Sequence, residues 1–134
     1  NAGSIQLTFF DIFSDKTKQF GFKAVFPSGK VLACLGDEPF NEKCRNFVQN
    51  CDYLMCEAFC LYSQKDIFKP YEKFHSTALD AGKLAESLFA KNLILYHTED
   101  ETLQTRKRTY TSEARTVFNG NIFVPDDFEV INLK

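Results

Sequence analysis

Residues 5–12 alternate weakly between apolar and polar and are rich in Phe and Ile, which predicts a strand. The polar run 14–18 breaks it. Residues 20–26 predict a second strand, closed by the turn Pro27-Ser28-Gly29. Residues 31–35 are a short apolar run ended by Gly36-Asp37 and predict a third. Three such strands in succession suggest an antiparallel start to a sheet. The period then changes. Residues 41–49 have helical spacing, and Tyr53-Leu54-Met55 predicts a short strand within residues 51–56. Residues 77–90 carry the clearest helix. Thr77 can cap it, with Asp80 three residues on, and Ala81, Leu84, Ala85, Leu88 and Phe89 share one face. Residues 93–96 are continuously apolar, as in a strand covered on both faces. Residues 105–118 predict a helix stopped by Asn119-Gly120, and residues 122–124 and 128–133 predict two late strands. Hairpin strands followed by strands alternating with helices make an α/β fold, a mixed β-sheet with flanking helices on at least one face. With no repeat or linker, residues 1–134 read as a single domain.

Composition limits the partners. The chain has 16 basic and 18 acidic residues and a net charge of −2. That excludes a nucleic-acid module held by bulk positive charge and leaves room for a local basic patch. The odd count of five cysteines, irregularly spaced, does not suggest a disulfide framework, and a cytoplasmic location is expected. No run approaches the ~18 apolar residues of a membrane span, and no signal-peptide pattern is visible. Residues 1–3, opening on Asn1-Ala2, read as the remnant of a cleaved tag.

Candidate chemistry sits where polar residues directly follow buried strands, because open α/β sheets place their sites beyond the carboxyl ends of strands. Gly36-Asp37-Glu38 ends one strand, and Leu93-Ile94-Leu95-Tyr96-His97 ends another. Phe74-His75-Ser76-Thr77 stands at the mouth of the strongest helix. Both histidines of the chain belong to this set. Aspartate and neutral imidazole suit zinc or manganese. Each signal also has a plain structural reading: a hydrogen-bonded histidine at a strand end, turn chemistry at Asp37, an entry turn at His75. Arg106-Lys107-Arg108 could hold phosphates, but a solvated helix face is the better reading. Lys16, Lys18 and Lys23 are equally open. Cys56 and Cys60 are weak candidates for extra metal ligands, since buried free cysteine is common.

The ordered set is more specific than its parts. Leu35-Gly36-Asp37, then Asp52-Tyr53-Leu54-Met55-Cys56-Glu57-Ala58, then His75-Ser76-Thr77-Ala78, then Leu93-Ile94-Leu95-Tyr96-His97 resembles the C-terminal half of ribonuclease Z, in the metallo-β-lactamase superfamily. Ser112-Glu113-Ala114-Arg115 looks like that family's late helix. The resemblance implies one half of an αββα sandwich and a metal-dependent hydrolase of phosphodiesters that matures tRNA 3′ ends. It implies Asp37 and His97 as metal ligands, Asp37 bridging two ions. It implies His75 as the catalytic group at the leaving oxygen or phosphate, and Glu57 as the acid behind it. Zinc is the expected metal, with manganese as the alternative.

The family's His-x-His-x-Asp-His signature lies in its N-terminal half, and a chain with two histidines cannot contain it. The resemblance also implies a metal histidine shortly before the strand of Gly21-Phe22, where this chain has Phe13 and Ser14. The chain is therefore expected to be an incomplete half, inactive alone, that pairs with a separate N-terminal half or with itself as a homodimer, with RNA as substrate and no membrane. The alternative is a degenerate, non-catalytic member acting as a dimerisation or RNA-binding module. An unrelated α/β domain ranks last.

Overall fold

The computed structural model describes residues 3–134; the proposed remnant at Asn1-Ala2 lies outside the described residues. Six strands form one sheet: β1 (Gln6–Asp11), β2 (Phe20–Val25), β3 (Val31–Cys34), β4 (Tyr53–Glu57), β5 (Asn92–Tyr96) and β6 (Asn121–Phe123). Their spatial order is their order in the chain. β1–β2 and β2–β3 pair antiparallel, while β3–β4, β4–β5 and β5–β6 pair parallel. A loop over residues 12–19 and a tight turn at Pro27-Ser28-Gly29 join the first three strands, whereas each parallel return needs a crossover. Those crossovers carry the helices α1 (Arg45–Val48), α2 (Lys65–Phe68), α3 (Ala78–Ser87) and α4 (Arg106–Arg115). No helix among the described residues is long and apolar enough to cross a membrane.

One sheet face holds the core. Ala33, Leu54 and Leu93 project from the central strands and are fully buried with Ala78, Ala81, Ala85 and Leu88 of the α3 segment and Tyr110 and Ala114 of α4. Small residues along α3 let it lie close to α4. A Cβ on Gly82 would come within 2.9 Å of the Ala114 carbonyl oxygen. α3 starts with a full capping box: the Thr77 side chain accepts from the Asp80 N–H, and Asp80 accepts from the Thr77 N–H.

The opposite face is covered at its centre, where Ala24, Tyr53 and Ile94 are buried, and open at its β1 margin. The register aligns Phe9, Phe22, Cys34, Met55, Ile94 and Phe123 across all six strands. Leu7 and Phe9 on β1 are 55% and 65% exposed. A face so apolar needs a partner layer. Tyr53 on this side is buried, and its hydroxyl meets the main chain of Lys134.

The predicted strand at residues 128–133 does not form. Phe128 has φ 65° and is fully exposed, and Val130 is exposed too. An apolar alternation gives a strand only where a sheet edge receives it, and this segment leaves the sheet after β6. The short helix α2 and the 3₁₀ turns at Tyr62–Gln64 and Tyr71–Lys73 carry too few residues to show a period.

Candidate functional site

Three loops at the carboxyl ends of β3, β4 and β5 meet, together with the entry to α3. After β3, Gly36 adopts φ 77°, which turns the chain and delivers Asp37. The Gly36 carbonyl is held in turn by the Tyr96 hydroxyl. After β4, the segment through Phe59 and Cys60 runs beside the α3 entry. Phe59 N–H donates to the Ser76 carbonyl at 2.9 Å and Ala78 N–H to the Cys60 carbonyl at 2.9 Å. After β5, His97 takes φ 56°. A non-glycine residue there costs about 1–3 kcal/mol and persists only where the surroundings enforce it.

These turns bring the sequence candidates together. The His75 and His97 rings lie 4.9 Å apart, centroid to centroid, tilted by 49°. Phe59 stacks on His75 at 5.0 Å. His75 is largely buried, and Nδ1 sits 3.5 Å from Glu57 Oε2, too far for a hydrogen bond. Glu57 is 1% exposed. Its Oε1 accepts from the Ser76 N–H at 2.7 Å and the Ser76 hydroxyl at 2.5 Å. Oε2 and His75 Nδ1 are both buried without a partner.

Charge at this pair is set by burial. Desolvation raises the Glu57 carboxyl to about 7, against the lowering effect of the two Ser76 donors. His75 is shifted down, first by burial, then by His97 and Lys16, with Asp37 pulling the other way. Burial therefore favours the uncharged form of each group, a protonated carboxyl and a neutral imidazole. That suits proton transfer at a reacting oxygen. An apolar cavity of about 220 Å³ opens beside it, lined by Leu35, Phe40, Glu57, Tyr71, His75 and Leu84 among others.

Asp37 and His97 are the two metal donors anticipated from the sequence. Among the described residues no three His, Cys, Asp or Glu side chains converge in a way that could hold a metal ion. Catalytic zinc takes about three protein ligands plus water, so the donors on this chain do not by themselves fit such a centre. Cys56 and Cys60 are buried thiols, raised by desolvation, Cys60 to about 12. They behave as core residues. Phe13 stands exposed on the β1–β2 loop at φ 59°, with the Lys43 ammonium 4.8 Å from its ring centre.

Two of the three basic residues in the α4 run are committed elsewhere. Arg106 pairs with Asp126 at 3.0 Å and bonds the Thr98 hydroxyl, while Lys107 pairs with Asp126 and Glu129. Glu113 secures the Tyr62 and Leu79 N–H groups. Sequence reasoning missed Ser76 as the anchor of Glu57, although it follows His75 directly. It also missed Phe59, for which only the trailing position after Glu57-Ala58 was a signal, and it left Lys16 open without placing it near His75.

No family model matches the chain. It is 32% identical over 98 residues to Ribonuclease Z of Bacillus cereus (strain AH187), covering 73% of this chain and 31% of that protein. The figures are the same for Ribonuclease Z of Bacillus thuringiensis (strain Al Hakam). The chain thus spans about a third of the length of these relatives. Among solved structures, the metallo-β-lactamase fold protein YhfI from Bacillus subtilis superposes with a TM-score of 0.71 at 21% identity, over 93% of this chain and 48% of YhfI. The short form of human tRNase Z superposes with a TM-score of 0.70 at 24% identity, over 96% and 43%. The six-stranded mixed sheet with its flanking helices is the arrangement these structures share with it. By sequence and by fold, the chain is ribonuclease Z-like and belongs with the metallo-β-lactamase superfamily.

Proposed function

We propose that this chain supplies the leaving-group side of a ribonuclease Z-type phosphodiesterase, whose metal site is completed by a second polypeptide segment carrying the His-x-His-x-Asp-His motif. The single observation behind this is the convergence of Asp37, His75, His97 and Glu57 at the strand ends. In this reading His75 delivers a proton to the departing ribose oxygen. Glu57 positions the imidazole and shares that proton, and Ser76 fixes Glu57. Asp37 and His97 would add their donors to a metal centre, zinc first, whose other ligands the second segment would supply, and the metal would activate the attacking water. The substrate is RNA of the tRNA-precursor class. The open face with Leu7 and Phe9 is where the second segment packs, sheet on sheet, as the N-terminal half of the same fold. The two together make the unit of which residues 1–134 are the C-terminal half. We place it in the cytoplasm, consistent with buried free thiols at Cys44, Cys51, Cys56 and Cys60.

The test is reconstitution. The chain is mixed with the motif-bearing remainder of the Bacillus cereus relative, with zinc or manganese added, and cleavage of a tRNA precursor is followed. Cleavage should require both parts and fall by about 10²- to 10⁴-fold in His75→Ala. A complex that forms and cleaves equally well with His75→Ala would defeat the proposal. The second reading, a non-catalytic assembly module, is favoured by one observation: Phe13 and Ser14 stand where the resemblance implies a metal histidine. A homodimer sedimenting without any affinity for the motif-bearing segment would support it instead.

A further inference from the structure

Phe13 and Phe74 come from loops about sixty positions apart and face one cavity of about 160 Å³, which Lys16, Pro39, Phe40 and Asn41 also line. Both rings are exposed, at 42% and 57%. Both residues sit in the left-handed backbone region, φ 59° and 60°, which glycine or asparagine would occupy at far lower cost. Lysines attend these rings. Lys43 Nζ lies 4.8 Å from the Phe13 ring centre and Lys16 Nζ 5.5 Å from that of Phe74. Lys73 Nζ lies 5.1 Å from the ring centre of Phe59, the residue stacked on His75. The nearby acids are mostly engaged. Asp11 pairs with Lys18 at 3.4 Å, and Glu38 accepts from Ser14 and Gln19; Glu38 and Asp15 are the two carboxylates in the wall of the cavity, opposite in charge to Lys16. No ion pair to a carboxylate is found for Lys16, Lys43 or Lys73 among the described residues.

We infer that this groove is a subsite for single-stranded RNA, in which Phe13 and Phe74 stack bases and Lys16 and Lys43 neutralise the flanking phosphates. Flat apolar rings interleaved with cations complement a strand of alternating bases and phosphates. Core packing does not account for two exposed aromatics in costly backbone states. An exposed cation–π pair is weak, so a lysine can leave its ring for a phosphate as a base takes the ring face. The groove leads through the shared wall of Glu38, Pro39 and Phe40 to the cavity of His75 and Glu57. A strand held at Phe13 and Phe74 is thereby directed at the proton-transferring pair. The choice of RNA rests on the proposed function, whereas the groove and its chemistry do not.

The test is fluorescence anisotropy of the chain with a short labelled oligouridylate, beside a duplex of equal charge and a heparin fragment. The single strand should bind, and the duplex should bind more weakly. Phe13→Gly, whose backbone accepts the left-handed turn without penalty, should keep the fold by circular dichroism and weaken binding about tenfold. Phe74→Gly should do the same. Lys16→Ala with Lys43→Ala should flatten the dependence of log affinity on log salt by about 1.4, two contacts at ~0.7 each. Equal binding of duplex and single strand, or binding untouched in both glycine variants, overturns the inference, as does heparin bound while the oligouridylate is not. Failed cleavage in the reconstitution, with this binding pattern intact, would remove the proposed reaction and leave the groove standing.

Discussion

Glu57→Gln should change how stability depends on pH. The carboxyl is 1% exposed and is raised to about 7 by burial, whereas in the unfolded chain it returns to 4.5. A group whose pKa rises on folding favours the folded state most when protonated. Its contribution is complete below pH 4.5 and is lost as pH climbs through 7. The full loss is about 3 kcal/mol, and between pH 5 and pH 8 it is about 2.5 kcal/mol. Glutamine keeps the shape. Its carbonyl oxygen can accept from the Ser76 N–H and hydroxyl, and its amide N–H can donate toward His75 Nδ1, which now lacks a partner. The variant should therefore gain on the wild type as pH rises, and be the more stable protein at pH 8. His75, shifted down by burial, acts in the opposite sense, costing stability as pH falls below its ordinary 6.5, and it does so in both proteins. Urea unfolding followed by circular dichroism at pH 5, 6, 7 and 8 measures the difference. A wild-type–variant difference that stays flat across this range would refute the reasoning, because it would mean that ionised Glu57 is fully compensated in the fold.

Ser76→Ala removes one of the two donors to Glu57, the hydroxyl at 2.5 Å, and should cost about 1–3 kcal/mol in the same unfolding assay at pH 8. Thr77→Ala breaks the capping box of α3 and should cost about 1 kcal/mol, independent of pH between 6 and 8. Gly21→Ala forces a Cβ to 2.5 Å from the Cys34 carbonyl oxygen and 2.6 Å from the Phe10 ring, so β2 must shift. It should destabilise by about 1–3 kcal/mol or prevent folding, read as loss of the cooperative transition or of soluble yield.

Most of the sheet was legible because each strand announces its own burial. The unbroken run Leu93-Ile94-Leu95 is buried on both sides, and the weaker alternation before Asp11 belongs to an edge strand with an open face. α3 was legible through Thr77, Asp80 and one apolar stripe. Residues 128–133 show the same alternation without a strand, because pairing is a property of the neighbour and not of the segment. At the site, His97 and Asp37 could be found because they close apolar strand runs, and His75 because it stands at the entry to α3. The cluster of Phe13, Lys16 and Phe74 could not, because loops distant in sequence meet only after the sheet has formed. The α4 arginine and lysine could be read as a basic face, but their carboxylate partners at Asp126 and Glu129 lie past β6.

The sheet order, identical to the order of synthesis, has a consequence for how the chain acquires its shape. As each strand leaves the ribosome, its neighbour has already been made, and no strand waits for one not yet translated. The hairpin of β1 and β2 can form first at small loop cost, and each later strand then adds to an existing template. The same arrangement leaves β1 at the margin of the sheet among the described residues, with Leu7 and Phe9 exposed. That margin is exposed to unwanted strand addition for as long as its partner layer is absent.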